Sequence, residues 1–381
     1  MKKNLLFLAA LGLVAFSSCT QSEDEVPARS TELVPVQFGT YFGKTAQVKA
    51  GQSGEIGAST TLTDGFGVFA YYTDDSNFEE TTSTPNFMYN QKVAKDGTYS
   101  PIKYWPNEFS NTAADGVPSG DGTNHKGLDK LTFFAYAPYA KPTGATGETG
   151  ITALSANTAT GAPTVTWKAA SDPKDCVDLM YAEENNTAST KDLTKPNITD
   201  KVKFTFKHAL ANINLILQGV FDATSALSSK DVESGTTITV KSLKLKSSTD
   251  GIGTEGTFNL GTKTWSGITG LLDFDVTNAV NQTITKTEKD LGGAMFIPKD
   301  GDVTFEAVIE YDVETTDPEL DGGKSTVTNK IKNTVTFKVE KGKKYKLKLL
   351  VGMTTVKFEA VFTDWTTETP DQEVWLPVNK E

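Results

Sequence analysis

Between Val303 and Val313 every second residue is apolar: Val303, Phe305, Ala307, Ile309, Tyr311 and Val313, with Thr304, Glu306, Glu310 and Asp312 among the residues between them. Side chains of an extended chain point alternately to opposite faces. A strand with one face in a core and the other in water accounts for this pattern. The same alternation recurs at Val335, Phe337 and Val339. It returns at Tyr345, Leu347, Leu349 and Val351 against Lys344, Lys346 and Lys348, and at Val356, Phe358, Ala360 and Phe362. Two earlier runs, Gly65–Tyr72 and Leu131–Tyr139, are apolar on both parities, which predicts strands covered on both sides. No long helical period and no tandem repeat competes with this reading. Turns are signalled by Asp250-Gly251, by Lys-Asp-Gly at 299–301 and by Lys-Gly-Lys at 341–343.

One stretch changes phase. Val202, Phe204, Phe206, His208 and Leu210 share a parity, and Ile213, Leu215 and Leu217 take the other. A slip of one residue turns every side chain to the opposite face, so a bulge or a sheet-switching corner is expected near Ala209–Asn212. His208 falls on the apolar parity and is read as a hydrogen-bonded core histidine. A chain of 381 residues exceeds one ordinary domain. The predicted organisation is all-β, with two antiparallel β-sandwich domains in tandem at residues 33–200 and 201–365, followed by a tail at 366–381.

The N-terminus reads as a targeting segment. Lys2 and Lys3 precede the apolar run Leu5–Phe16, which is too short to span a bilayer, and Ser17-Ser18 lead into Cys19. This resembles a bacterial lipoprotein signal over residues 1–18 with Cys19 as the lipidated residue, although Phe16 stands where Leu is usual. Residues 19–32 then read as an acidic linker, similar to surface-export tags and equally serviceable as a plain tether.

Charge and composition exclude several functions. The net charge is −11, so nucleic-acid backbones are repelled. With two His and two Cys in the whole chain, no metal cluster of ordinary spacing is expected, and Cys176 reads as a small buried hydrophobe. No nucleophile–base set, phosphate loop or EF-hand pattern is present, so neither an enzyme nor a cofactor is predicted.

Four segments together resemble the fimbrillin family of the Bacteroidales. They are Tyr104-Trp105-Pro106 with Leu131–Tyr139, Asp178–Ala182 with Val202–Leu210, Met295–Pro298, and Gly342–Tyr345 running to Asp364-Trp365. The resemblance implies two transthyretin-like sandwiches, export as an outer-membrane lipoprotein, and polymerisation with other fimbrial subunits by strand exchange. It implies adhesion and biofilm formation, with a host glycan or protein as receptor. In that scheme a maturation protease removes the first strand and a donor strand fills its groove. Val34, Val36 and Phe38 are the candidate removable strand, and Val374, Leu376 and Val378 the candidate donor; a tail packed on its own domain is the competing reading.

The family pattern calls for an Arg-specific cut after the first strand, yet the only arginine is Arg29, ahead of it. Cleavage at Lys44 or Lys49, cleavage at Arg29, and an uncut anchor subunit all remain open, as does a non-polymerising tip subunit. The alternative function is a surface glycan-binding lipoprotein with an aromatic platform. Trp105 and Trp365 fall in strand or turn patterns, which leaves Trp167 and Trp265 as its candidate residues.

Overall fold

The computed structural model describes residues 34–41, 64–106, 129–172, 175–184, 189–194, 201–221, 235–247, 252–299, 301–316, 321–353, 356–364 and 374–375. In chain order the strands are β1 (Phe38–Tyr41), β2 (Phe66–Tyr72), β3 (Met88–Val93), β4 (Leu131–Ala137), β5 (Gly150–Leu154), β6 (Thr164–Lys168), β7 (Met180–Glu183), β8 (Val202–His208), β9 (Ala211–Val220) and β10 (Thr236–Ser247). They continue as β11 (Glu255–Asn259), β12 (Trp265–Thr269), β13 (Asp273–Asp275), β14 (Thr283–Ile284), β15 (Lys289–Phe296), β16 (Asp302–Thr316), β17 (Lys324–Lys338), β18 (Lys343–Gly352), β19 (Val356–Asp364) and β20 (Val374–Trp375). A 3-10 turn lies at Thr277–Ala279.

The strands form four sheets. A six-stranded sheet runs β1-β8-β7-β4-β2-β3 and a four-stranded sheet runs β12-β11-β6-β5. A third runs β13-β10-β16-β17, with β14 also on β10, and a fourth runs β15-β9-β18-β19-β20. The ladders are antiparallel except for β1 with β8 and β9 with β18. The third and fourth sheets face each other across one core that holds Ile213, Leu215, Val240, Phe305, Ile309, Leu347 and Leu349.

The six-stranded sheet is covered on both faces, as the two-parity runs predict. Phe66, Val68, Ala70, Phe133 and Ala135 enter a core with Trp105 and Phe204. Phe69, Tyr71, Phe134 and Tyr136 enter a second core, against Val165, Trp167 and Phe258 of the four-stranded sheet. Close approach within this sheet is set by Gly67, where a Cβ would lie 2.3 Å from Tyr136 Cε1.

The phase change is a change of sheet. Phe204 and Phe206 belong to one core, Ala209 and Leu210 to the second, and Ala211, Ile213 and Leu215 to the third. Backbone groups at this corner are satisfied: Ala209 N–H donates to Leu179 O at 2.8 Å, and Gly342 N–H donates to Leu210 O at 2.8 Å. His208 Nδ1 lies 2.8 Å from Asp178 Oδ2, both residues being buried, which is the hydrogen-bonded core histidine expected.

Strands on both sides of residue 200 share one sheet. β8 lies beyond that residue, yet pairs with β7 (Met180↔His208) and with β1 (Phe38↔Val202) and so stays in the six-stranded sheet. The hairpin β11–β12 also returns from the later half to pair with β6, Glu255↔Lys168 through Asn259↔Thr164. A strand end beside a partner with unpaired backbone groups gains hydrogen bonds by joining it, whatever its sequence distance.

Candidate functional site

A removable strand has to satisfy three physical conditions. It must lie at a sheet edge, seat side chains in pockets, and leave backbone groups unpaired when it goes. The segment Val34–Tyr41 meets all three.

β1 is the terminal strand of the six-stranded sheet. Val36 and Phe38 are each 1 % exposed, and Val34 packs partly against the same core, so alternate side chains point inward. Phe38 stacks on Phe204 with ring centroids 5.7 Å apart and meets Phe133 edge-on at 5.8 Å and Tyr99 at 5.3 Å. Full burial of a Val or Phe side chain contributes about 1.5–3 kcal/mol, so these two residues hold the strand as anchors.

Backbone groups bind the segment along both sides. On one side, Val202 N–H donates to Gln37 O at 2.8 Å and the parallel ladder runs from Phe38↔Val202 to Tyr41↔Thr205. On the other, Val36 N–H donates to Lys103 O at 2.8 Å and Trp105 N–H donates to Val34 O at 3.0 Å. Tyr99 Oη donates to Val36 O at 2.8 Å, and burial raises the Tyr99 hydroxyl above its ordinary pKa, so it stays protonated as a donor.

Gly97 completes the cradle. It has φ +88°, and a Cβ there would lie 2.2 Å from Phe38 O, so only glycine lets the loop approach the strand. Asp96 beside it accepts from the Thr98 hydroxyl at 2.7 Å and the Thr98 N–H at 3.0 Å, which fixes the turn and holds the Asp96 carboxyl below its usual range. Sequence reading identified the strand and missed Gly97, Tyr99 and Lys103. The Asp96-Gly97 dipeptide is the turn signal that marks this loop.

Of the other site residues expected from sequence, Val374 lies in β20, which pairs antiparallel with β19 as Phe362↔Val374 and Val361↔Trp375. The start of the tail thus extends the sheet of its own chain. Cys19, Arg29, Lys44, Lys49, Leu376, Val378 and Trp365 lie outside the described residues.

The aromatic platform is overturned. Trp167 is fully buried and donates its indole N–H to Val177 O at 2.8 Å. Trp265 is half-buried, donates to Ala209 O at 2.8 Å, and packs edge-on to Trp167 at 6.4 Å. Each indole donor finds a carbonyl within its own half of the chain, and the packing of the two rings on each other joins the halves. Cys176 is buried and free, and burial pushes its thiol up. Among the described residues no three His, Cys, Asp or Glu come together to hold a metal.

This is a nearly all-β, mostly antiparallel protein with a strand seated at one sheet edge. Residues 125–365 match the sequence profile of the fimbrillin-like family, and the chain belongs to that family. It is 27 % identical over 408 aligned residues to the fimbrium subunit Fim1C of Phocaeicola vulgatus, covering 96 % of each chain. Its fold is similar to the crystal structure of a fimbrial protein from Bacteroides vulgatus, with a TM-score of 0.61, 23 % identity, and coverage of 87 % of this chain and 99 % of that one.

Proposed function

We propose that the protein is a cell-surface structural subunit of fimbriae, in which the segment Val34–Tyr41 is removed by proteolysis and replaced by an extended strand of another subunit. The observation that carries this reading is the edge strand itself, with Val36 and Phe38 buried and Gln37, Val34 and Val36 bonded through the backbone on both sides. Removing it uncovers Phe204, Phe133 and the 103–105 backbone together. A surface of that kind recruits a new strand, with backbone pairing giving affinity and alternate side chains filling the vacated pockets. Head-to-tail contacts of this type do not close and so grow a filament. Family membership and the fimbrial relative support the subunit role.

In this scheme Cys19 carries the lipid that holds the precursor to the outer membrane, and a protease cuts at Lys44 or Lys49. Arg29 is the other candidate, but a cut there retains the strand. The tail around Val374, Leu376 and Val378 is the donor, its alternation matching that of Val34, Val36 and Phe38. Its partners are other fimbrial subunits and the protease, with a host glycan or protein as receptor in adhesion and biofilm formation.

The test is the N-terminal residue of the protein isolated from the outer surface of its native cells. A start at Thr45 or Ala50 is the expected result. A blocked, lipidated Cys19 on the surface protein would overturn the polymerising role and leave an anchor subunit.

A further inference from the structure

A cleft far from the β1 edge has a different character. It lies between β3 at the opposite edge of the six-stranded sheet, the segment 139–144 and β5, and has a volume of about 440 Å³. That is room for one or two sugar rings, at the small end of ligand sites.

The cleft is built by a bulge. β3 pairs regularly with β2 at Ala70↔Met88 and then shifts register, resuming at Val68↔Gln91. Asn90 takes φ +43°, a left-handed conformation that asparagine tolerates better than most residues with a Cβ. Three contacts hold it there. Tyr136 Oη donates to Asn90 Oδ1 at 2.7 Å, Asn90 Nδ2 donates to Ala140 O at 3.0 Å, and Gly67 leaves the space that a Cβ would close, 2.8 Å from Asn90 Oδ1. Backbone strain fixed this firmly tends to mark a place where it serves a purpose.

The consequence of the bulge is the placement of Tyr89. Its side chain is 41 % exposed, an unusual position for a large ring, while its hydroxyl donates to Ser155 O at 2.7 Å. The ring is thus fixed by one end and open to solvent on the cleft. A second ring, Tyr139, is half-buried in the same cleft with Lys92 Nζ 5.2 Å from its centroid. Lys141 lines the cleft as well, with Thr143 and Thr152, whose hydroxyls donate to Glu148 and to Thr166 O. Neither Lys92 nor Lys141 forms an ion pair among the described residues, although the chain as a whole carries a net charge of −11.

We propose that this cleft binds a carboxylated saccharide, its ring against Tyr89 and its carboxylate toward Lys92 and Lys141. The C–H face of a pyranose is apolar and packs on an exposed aromatic ring held in place. A carboxylate gains charge-assisted hydrogen bonds from the two ammonium groups. Because the Tyr89 ring is already held by Ser155, little ordering is left there to oppose binding. The site is independent of strand exchange and involves no tryptophan.

The test uses the full chain in solution, titrated calorimetrically with D-glucuronic acid and with N-acetylneuraminic acid, and with D-glucose as the uncharged control. At least one of the two acids is expected to bind saturably, about tenfold more tightly than glucose, and to weaken as NaCl is raised. The double variant Lys92→Gln/Lys141→Gln leaves the scaffold in place and should lose that advantage. Tyr89→Phe should keep binding and Tyr89→Ala should lose about tenfold or more. Saturable binding by neither acid, equal binding of glucose, or unchanged binding in the double lysine variant would each overturn the proposal. Failure here leaves the fimbrial role untouched, because surface N-terminal sequencing reads a different edge of the molecule.

Discussion

Each half of the chain opens with a strand that pairs in parallel, yet the two are held very differently. β1 makes four residue pairs with β8 at a sheet edge, Phe38↔Val202 through Tyr41↔Thr205. β9 makes nine with β18, Asn212↔Lys344 through Val220↔Gly352, and is also paired antiparallel with β15 on its other side. β9 buries Ile213, Leu215 and Leu217 on one face, and the β1 segment buries Val36 and Phe38 on one face, so an inward apolar face does not separate them. Position in the sheet does. A parallel partner lies far away in sequence, so no tight turn ties the strand to its neighbour. An edge strand so placed can leave once the chain beside it is cut. An interior strand cannot leave without breaking two ladders and the core it fills. In the proposed scheme exchange belongs to the edge, and stability to the interior.

The contrast can be broken most severely in β9. Leu215 is 3 % exposed in the core between the third and fourth sheets, and Leu215→Asp buries an unpaired charge there. The variant should show no cooperative urea transition, and retention of one would mean that β9 is as dispensable as β1. Next in size is the corner that joins the two strands' sheets. His208→Ala takes the imidazole from Asp178 at a buried 2.8 Å contact and should cost about 3 kcal/mol in urea unfolding.

A smaller change isolates β1. Gly97→Ala places a Cβ against Phe38 O at a positive φ, and should loosen the strand by about 1–2 kcal/mol. Amides of residues 36–40 should then exchange about tenfold faster or more, with those of β9 unchanged. Equal acceleration in both strands would show that β1 does not open separately.

The smallest effect is alkaline. Burial pushes the hydroxyls of Tyr181 and Tyr345 up from 10.0 to about 12. Their folded values exceed the unfolded one, so their contribution is intact below about pH 10 and is lost as pH rises toward 12. Tyr181 lies beside β8 through Tyr181↔Lys207, and Tyr345 beside β9 through Tyr345↔Ile213, so each half carries one reporter. The urea midpoint should hold to about pH 10 and fall beyond it; a flat profile would show that neither ring resists ionisation.

Much of the fold could be read from the residues because strand periodicity is a local property. The alternations at Val303–Val313 and Tyr345–Val351 are strands with one face buried, and Gly65–Tyr72 and Leu131–Tyr139 lie in the sheet covered on both faces. The shift of parity between Leu210 and Ile213 announced the corner, since a buried set cannot change face without changing sheet. The edge segment was legible through Val34, Val36 and Phe38. Its cradle was not, because Gly97, Tyr99 and Lys103 act through backbone groups and one hydroxyl that the sequence pattern does not distinguish. Nor was the cleft at Tyr89 legible, because it depends on a bulge.

By itself, then, the sequence determined which segments are strands, which faces they bury, and where one of them must turn from sheet to sheet. These follow from the alternation of side chains along a single extended chain. Only the tertiary structure decided which edges meet: that β8 stays with β7, that β11 and β12 return to cover β6, and that Trp167 and Trp265 are internal struts. A ladder is made of backbone N–H and C=O groups that nearly every residue carries alike. Its partner is chosen by where free edges come together in space.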